Sequence, residues 1–104
     1  MSGVTMEWLM EDSISPDAKI SLARMTLAAG VRSECHRHPN CAETIHLEAG
    51  RIRQRIGDKW IVLKAGETCV IPEGTPHQSE NLGETDAVMM LCYSAGTRTY
   101  ERVE

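Results

Sequence analysis

Hydrophobic and polar residues alternate with a period of two along much of the chain. In residues 51–56 (RIRQRI), the three arginines fall on one side of an extended backbone, while Ile52, Gln54 and Ile56 fall on the other. Residues 87–93 (AVMMLCY) are apolar on both sides, which predicts a central, fully buried strand. The chain is therefore predicted to be built from strands.

The stretch ETIHL alternates in the same way. Glu43, Ile45 and Leu47 share one side of the predicted strand, and His46 falls on the opposite side. We therefore expect His46 to be a surface or interface residue.

Turn-forming residues separate these stretches at short intervals. They include Ser15-Pro16-Asp17, His38-Pro39-Asn40, Gly57-Asp58-Lys59, Pro72-Glu73-Gly74 and Asn81-Leu82-Gly83. Short strands spaced by about 8–12 residues are typical of an all-β sandwich or barrel. Residues 20–27 form a further predicted strand, the first dozen residues are the only stretch compatible with a helical turn, and residues 94–104 are expected to form a final edge strand or an arm.

The length and charge of the chain exclude several classes of protein. The 104 residues suffice for one small domain, so residues 1–104 are predicted to form a single domain. The net charge of −4 counts against nucleic acid or an anionic membrane as partner. No apolar run approaches the roughly 20 residues of a membrane span.

The N-terminal sequence lacks the basic start and the long apolar segment of a secretory signal, which predicts a cytoplasmic address. A mature exported chain is the alternative. In the cytoplasm, the four cysteines are expected to be free thiols rather than disulfides.

Candidate metal ligands cluster in residues 35–46 (CHRHPNCAETIH), which hold three of the four histidines. His36 and His38 are two residues apart, so on an extended strand both imidazoles reach one point. A turn after His38 could return the Glu43 carboxylate to that point, and His77 begins another predicted strand. Such a set of nitrogen and oxygen donors suits Fe, Mn, Ni, Co, Cu or Zn better than Mg or Ca. Taken alone, the histidine pair is a weak signal that is more typical of surface histidines than of a metal site.

A local zinc site made of Cys35, His36, His38 and Cys41 is a second alternative. On an extended strand, however, Cys35 faces away from His36 and His38. The step from Cys35 to Cys41 also exceeds the usual spacing of about two to four residues between paired zinc cysteines.

Two spaced motifs surround the candidate ligands. The first is Gly30-x5-His36-x-His38-x4-Glu43-x6-Gly50, and the second is Gly66-x5-Pro72-x-Gly74-x2-His77-x3-Asn81. All ten positions match the two motifs of the cupin superfamily, and the chain resembles a minimal cupin over roughly residues 20–95. The resemblance implies a jelly-roll β-barrel, also called a double-stranded β-helix. It also implies that His36, His38, Glu43 and His77 bind one divalent transition metal inside the barrel, whose identity stays open.

Four further residues are candidates for a place around the metal. Gln54 would be a lone polar group in an apolar wall, and Ser79 has the same parity as His77 on its strand. Cys92 lies on the last predicted core strand, where it could face the pocket or be a buried structural thiol. Arg24 could reach inward to hold a carboxylate or point outward from the sheet.

No tyrosine is predicted to lie beside the metal. Tyr93 follows Cys92 directly, so it faces the opposite side of the predicted strand, and Tyr100 lies in the C-terminal tail. This expectation counts against cupin lyases and oxygenases that depend on a pocket phenol.

The first hypothesis for the function is a metal-dependent enzyme that acts on a small oxygenated substrate, although what the resemblance implies stops at the metal because cupins host many reactions. Four protein ligands leave open positions on a metal, which suits either dioxygenase and other oxidoreductase chemistry or isomerase and lyase chemistry. The alternative is a stand-alone sugar-binding or organic-acid-binding sensor without catalysis. The complete ligand set favours the enzyme.

A homodimer is expected, because exposed sheet edges favour pairing. The apolar residues Val4, Met6, Trp8 and Leu9 near the N-terminus could supply the contact.

Overall fold

The computed structural model describes residues 2–104 as an almost entirely β protein. Its strands are β1 (Val4–Met10), β2 (Ser21–Leu27), β3 (His36–Arg37), β4 (Glu43–Ala49), β5 (Arg51–Ile56), β6 (Lys59–Lys64), β7 (Thr68–Ile71), β8 (His77–Asn81), β9 (Ala87–Tyr93) and β10 (Glu101–Arg102). Over the described range, the single helical element is a 3₁₀ turn at Pro16–Ala18. The prediction of an all-β fold is confirmed.

The strands form two antiparallel sheets of five strands each. The first sheet has the order β1-β2-β9-β4-β7, and the second has the order β10-β3-β8-β5-β6. Consecutive strands β4 and β5 lie in different sheets, so the chain crosses from one sheet to the other at Gly50. The core fills the space between the two sheets.

Alternating side chains on each strand supply this core. On β4, Ile45 and Leu47 are buried, and on β5 Ile52 and Gln54 are fully buried, as the period-two pattern predicts. The prediction that β9 is buried on both faces is wrong. Its residues alternate between buried and half-buried, because one face of the first sheet is open to solvent.

The N-terminal residues form an edge strand, so the expected helical turn there is wrong. Residues of β1 pair with β2, and Val4, Met6 and Trp8 pack against the core. These side chains are half-buried, so only part of their apolar surface is used within the chain, and the dimer contact expected on them stays a prediction. Met1 lies outside the described residues. The homodimer itself stays a prediction.

The C-terminal residues provide the predicted edge strand, β10, which pairs with β3. Between residues 2 and 104, no helix is long and apolar enough to cross a membrane. All four cysteines are free thiols.

Candidate metal centre

Four predicted ligands come together at one end of the core. His36 lies on β3 and pairs directly with His77 at the start of β8. His38 follows β3, and Glu43 opens β4 in the opposite sheet. One donor atom from each of the four residues lies within 4.8 Å of the others. The two sheets thus bring together residues that are 41 positions apart in the chain, from His36 to His77.

A hydrogen bond to a backbone carbonyl fixes the orientation of each imidazole on the side away from Glu43. All three rings place Nδ1 against a backbone carbonyl oxygen: His36 against Glu34 at 2.7 Å, His38 against Thr99 at 2.8 Å and His77 against Thr75 at 2.9 Å. A carbonyl can only accept, so Nδ1 carries the proton and donates it. Each neutral ring then presents a bare lone pair at Nε2, the form that binds a metal.

The lone pairs at Nε2 face a carboxylate. His38 Nε2 lies 3.2 Å and His77 Nε2 lies 3.0 Å from Glu43 Oε1. These three buried atoms have no hydrogen-bond partner within the described residues. Buried acceptors that face one another without a donor are costly, and a cation between them would satisfy all of them at once. The residues therefore fit a metal, and their nitrogen and oxygen donors suit a transition metal.

The surroundings of His36 and Glu43 shift the pKa values of both groups. Burial, followed by repulsion from His77, lowers the pKa of His36 to about 4. Burial raises the pKa of the Glu43 carboxyl, but the adjacent imidazoles of His38 and His77 outweigh it and lower that pKa to about 2. His36 is therefore neutral and Glu43 ionised at neutral pH.

Two of the other candidates, Gln54 and Ser79, lie in the interior beside these ligands. The Ser79 hydroxyl donates to Gln54 Oε1 at 2.5 Å, and the amide of Gln54 donates to the Arg55 carbonyl at 3.1 Å. Gln54 is fully buried behind Ser79, which lines the cavity. Because the Ser79 hydroxyl donates its hydrogen to Gln54, its oxygen can only accept a hydrogen bond from a bound molecule.

Ser79→Ala is expected to lower the free energy of unfolding by about 1–3 kcal/mol, because it leaves Gln54 Oε1 buried without a donor. Urea denaturation of the metal-free protein measures this loss. The exposed Ser13, whose hydroxyl bonds Glu11, provides the matched control, and Ser13→Ala is expected to change stability by less than about 0.5 kcal/mol. Equal losses for the two variants would contradict the proposed contact.

Arg24 and Cys92 lie on the outer face of the first sheet, away from the ligands. Arg24 is paired with Glu7 at 3.2 Å near solvent. Cys92 alternates outward because its neighbours Leu91 and Tyr93 face the core. Neither residue is brought to the candidate site. The outward alternative applies to Arg24, whereas Cys92 is a half-buried thiol on the outer face and matches neither of its two alternatives.

The local zinc alternative finds no support in the geometry. Within residues 2–104, the cluster of side chains that could hold a metal ion consists of His36, His38, Glu43 and His77, and it contains neither Cys35 nor Cys41. His46 lies on the outer face, as predicted, with Nδ1 2.7 Å from the hydroxyl of Thr68.

The expectation that no tyrosine lies beside the ligands is wrong. Tyr93 meets His38 edge-on with ring centroids 5.1 Å apart, and Tyr100 stacks on His36 at 4.5 Å. Tyr93 lies two residues after Leu91 on β9, so the two side chains face the same side of the strand, and this could have placed Tyr93 inward. Tyr100 lies outside any alternating stretch, so no such pattern indicates its position. Burial, followed by the hydrogen bond to Glu34, raises the pKa of Tyr100 to about 12, so its phenol stays protonated.

A cavity of about 350 Å³ opens onto the ligands. Apolar side chains form part of its wall, namely Val4, Met6, Met25 and Leu91. The polar part comes from Ser33, Glu34, His36, Glu43, His77 and Ser79, together with Tyr93, Arg98 and Tyr100. This volume suits a small organic molecule held against the ligand cluster.

The chain is similar to several known proteins. It is 33% identical over 81 residues to germin-like protein 3-8 of Oryza sativa subsp. japonica, and 32% identical over 84 residues to oxalate oxidase 1 of Hordeum vulgare. Each match covers 73% of this chain but only 36% and 42% of those proteins, so the chain spans about two fifths of their length. A structure of oxalate oxidase in complex with the substrate analogue glycolate superposes with a TM-score of 0.87 at 26% identity, covering 97% of this chain and 55% of that one.

The family model described as Cupin domain matches residues 23–93, which include both spaced motifs and all four candidate ligands. The two facing sheets are the jelly-roll barrel, or double-stranded β-helix, that the resemblance implies. The chain belongs to the cupin family.

Proposed function

We propose that this protein is a metal-dependent enzyme that acts on a small oxygenated substrate. The observation that carries the proposal is the convergence of buried, unpartnered Nε2 lone pairs and a carboxylate on the wall of a cavity. His36, His38, Glu43 and His77 would hold one divalent transition metal. When bound, such a metal supplies Lewis-acid or redox chemistry to substrate oxygen atoms.

The surrounding residues would prepare a substrate for that chemistry. Apolar side chains on one wall, including Met25 and Leu91, exclude water from the cavity. Ser79 can accept a hydrogen bond from a substrate hydroxyl, because its own proton is held by Gln54. Tyr100 covers His36 and shields that ligand from solvent.

Oxidoreductase chemistry of the dioxygenase type is the first choice among the possible reactions. Oxalate oxidase is found both among the similar sequences and among the similar structures named above, which supports an oxidative reaction on a small oxygenated compound. Isomerase or lyase chemistry uses the same ligand set and is the second outcome to test.

The first experiment is elemental mass spectrometry of protein purified without added metal or chelator, followed by anaerobic reloading with Fe(II) or Mn(II). Close to one metal per chain is expected. Oxygen uptake is then measured with oxalate and glycolate, and product formation without oxygen is followed by NMR.

Oxygen uptake that depends on metal and substrate would support the oxidoreductase. Conversion without oxygen uptake would replace it with an isomerase or lyase. Ligand binding without turnover would favour the stand-alone binding protein, and failure to bind metal after reloading would overturn the proposal.

A further inference from the structure

Arg98 is held in an aromatic box at the mouth of the metal cavity. Its guanidinium carbon lies 5.2 Å from the ring centroids of Trp8, Tyr93 and Tyr100. These rings come from β1, from β9 and from the segment before β10, so three separate parts of the chain fix one side chain. Attraction between a cation and aromatic faces makes the box a stable seat for the positive charge.

The guanidinium lies directly beside the candidate ligands. Arg98 Nη1 is 3.4 Å from His38 Nδ1, and Arg98 lines the same cavity as Glu43 and His77. The contact with His38 is not a hydrogen bond, because His38 Nδ1 already donates its proton to the Thr99 carbonyl. Two donors therefore face each other, and Arg98 gains no acceptor from His38.

No carboxylate pairs with Arg98 among residues 2–104. Other arginines of the chain do have such partners: Arg24 with Glu7, Arg37 with Glu101, Arg53 with Glu80 and Arg102 with Glu34. Arg98 is half-buried and lines the cavity.

A second cavity, of about 290 Å³, also has Arg98 in its wall, together with Glu11 and Ser21. Arg98 thus borders two open spaces. A purely structural arginine would have its donors satisfied by the protein, since leaving donors unmade in a half-buried place is costly.

A carboxylate is the acceptor that best satisfies this arrangement. The planar guanidinium donates two parallel hydrogen bonds to the two oxygens of a carboxylate, and such charge-assisted bonds are about twice as strong as neutral ones. We propose that Arg98 binds the carboxylate of the substrate in the metal cavity and thereby selects small organic acids over neutral compounds of the same shape. This inference rests on the proposed function in one respect: the substrate is assumed to contact the metal as well as Arg98.

The test is isothermal titration calorimetry of the metal-loaded protein with glycolate and with glycolamide, its neutral counterpart, at constant ionic strength. Arg98→Gln is expected to weaken glycolate binding on the order of 10- to 100-fold. The affinity for glycolamide should stay unchanged. Arg24→Gln removes the same charge from the outer face and is expected to bind both ligands like the wild type.

Arg98→Lys retains the charge but loses the planar fork, so it should recover only part of the glycolate affinity. Circular dichroism shows whether each variant is folded, and the Lys variant keeps the test available if the Gln variant is not. Glycolate affinity unchanged in Arg98→Gln, or lost equally with glycolamide affinity, would overturn the proposal.

The same titrations in metal-free protein separate this inference from the proposed function. If the protein cannot be loaded with metal, the proposed function fails, yet a preference for glycolate over glycolamide that disappears in Arg98→Gln would still support the carboxylate site. Absence of glycolate binding in both forms would overturn the site as well.

Discussion

His36→Ala combined with His38→Ala is expected to abolish binding of a divalent transition metal while leaving a folded β protein. The double change removes two of the three Nε2 donors, and the remaining pair, His77 and Glu43, cannot enclose an ion. The fold should persist because the two sheets are held by strand pairing and by a core that is separate from these imidazoles. Elemental mass spectrometry and far-ultraviolet circular dichroism measure the two outcomes.

The thermal stability of the protein should report the same loss. At a free metal concentration 1,000 times the Kd, binding stabilises the native state by about 4 kcal/mol. For a domain of this size, that gain raises Tm by roughly 15–30 °C. The wild type is expected to show such a rise on reloading, whereas the double variant should show none.

His46→Ala is the matched control, because it removes a histidine of the same stretch that lies on the outer face beside Thr68. Its metal content and its metal-dependent rise in Tm should equal those of the wild type. Unchanged metal content in the double variant, or a loss of metal in His46→Ala, would contradict the assignment of ligands.

The sequence predicted those parts of the protein that depend on local periodicity and on motif spacing. Strands β4 and β5 follow from alternation, since polar residues mark their outer faces. The candidate ligands follow from the spacing of the two motifs, because Glu43 and His77 each begin a strand whose direction is fixed by a preceding turn.

Other parts were missed for physical reasons. Strand β9 contains no charged residue that would reveal its outer face, so the inward direction of Tyr93 was not recognised. In β1, Val4, Met6 and Trp8 do alternate with polar residues at Thr5 and Glu7, and the correct period was present but interpreted as a helical turn.

Arg98 and Tyr100 could not be placed from local pattern. They lie in an irregular segment that is fixed by long-range contacts: Asn40 bonds Thr97 and Thr99, and the Thr99 carbonyl bonds His38. Contacts between residues some 60 positions apart leave no periodic trace in the sequence. The clustering of the candidate ligands was therefore predictable, whereas the residues proposed to select the substrate were not.

Gly50→Ala is expected to lower the free energy of unfolding by about 2–5 kcal/mol, the sum of a backbone cost and a packing cost. Gly50 has φ +91°, which an L residue rarely adopts, at the point where the chain passes from β4 to β5. An added Cβ would also lie 3.0 Å from the Cα and 3.2 Å from the Cβ of Ala87, which begins β9. Backbone atoms on a paired strand cannot move away, so the contact would push the chain at Gly50 away from the start of β9.

Gly66→Ala separates these two costs. Gly66 has nearly the same φ, +94°, but nothing lies within 4 Å of the position of its Cβ, so only the backbone cost of about 1–2 kcal/mol is expected. Guanidinium denaturation of both metal-free variants measures the difference, which isolates the close approach to Ala87. Equal losses for Gly50→Ala and Gly66→Ala would mean that Gly50 is required for its backbone conformation alone, and that the crossing between the sheets has room for a side chain.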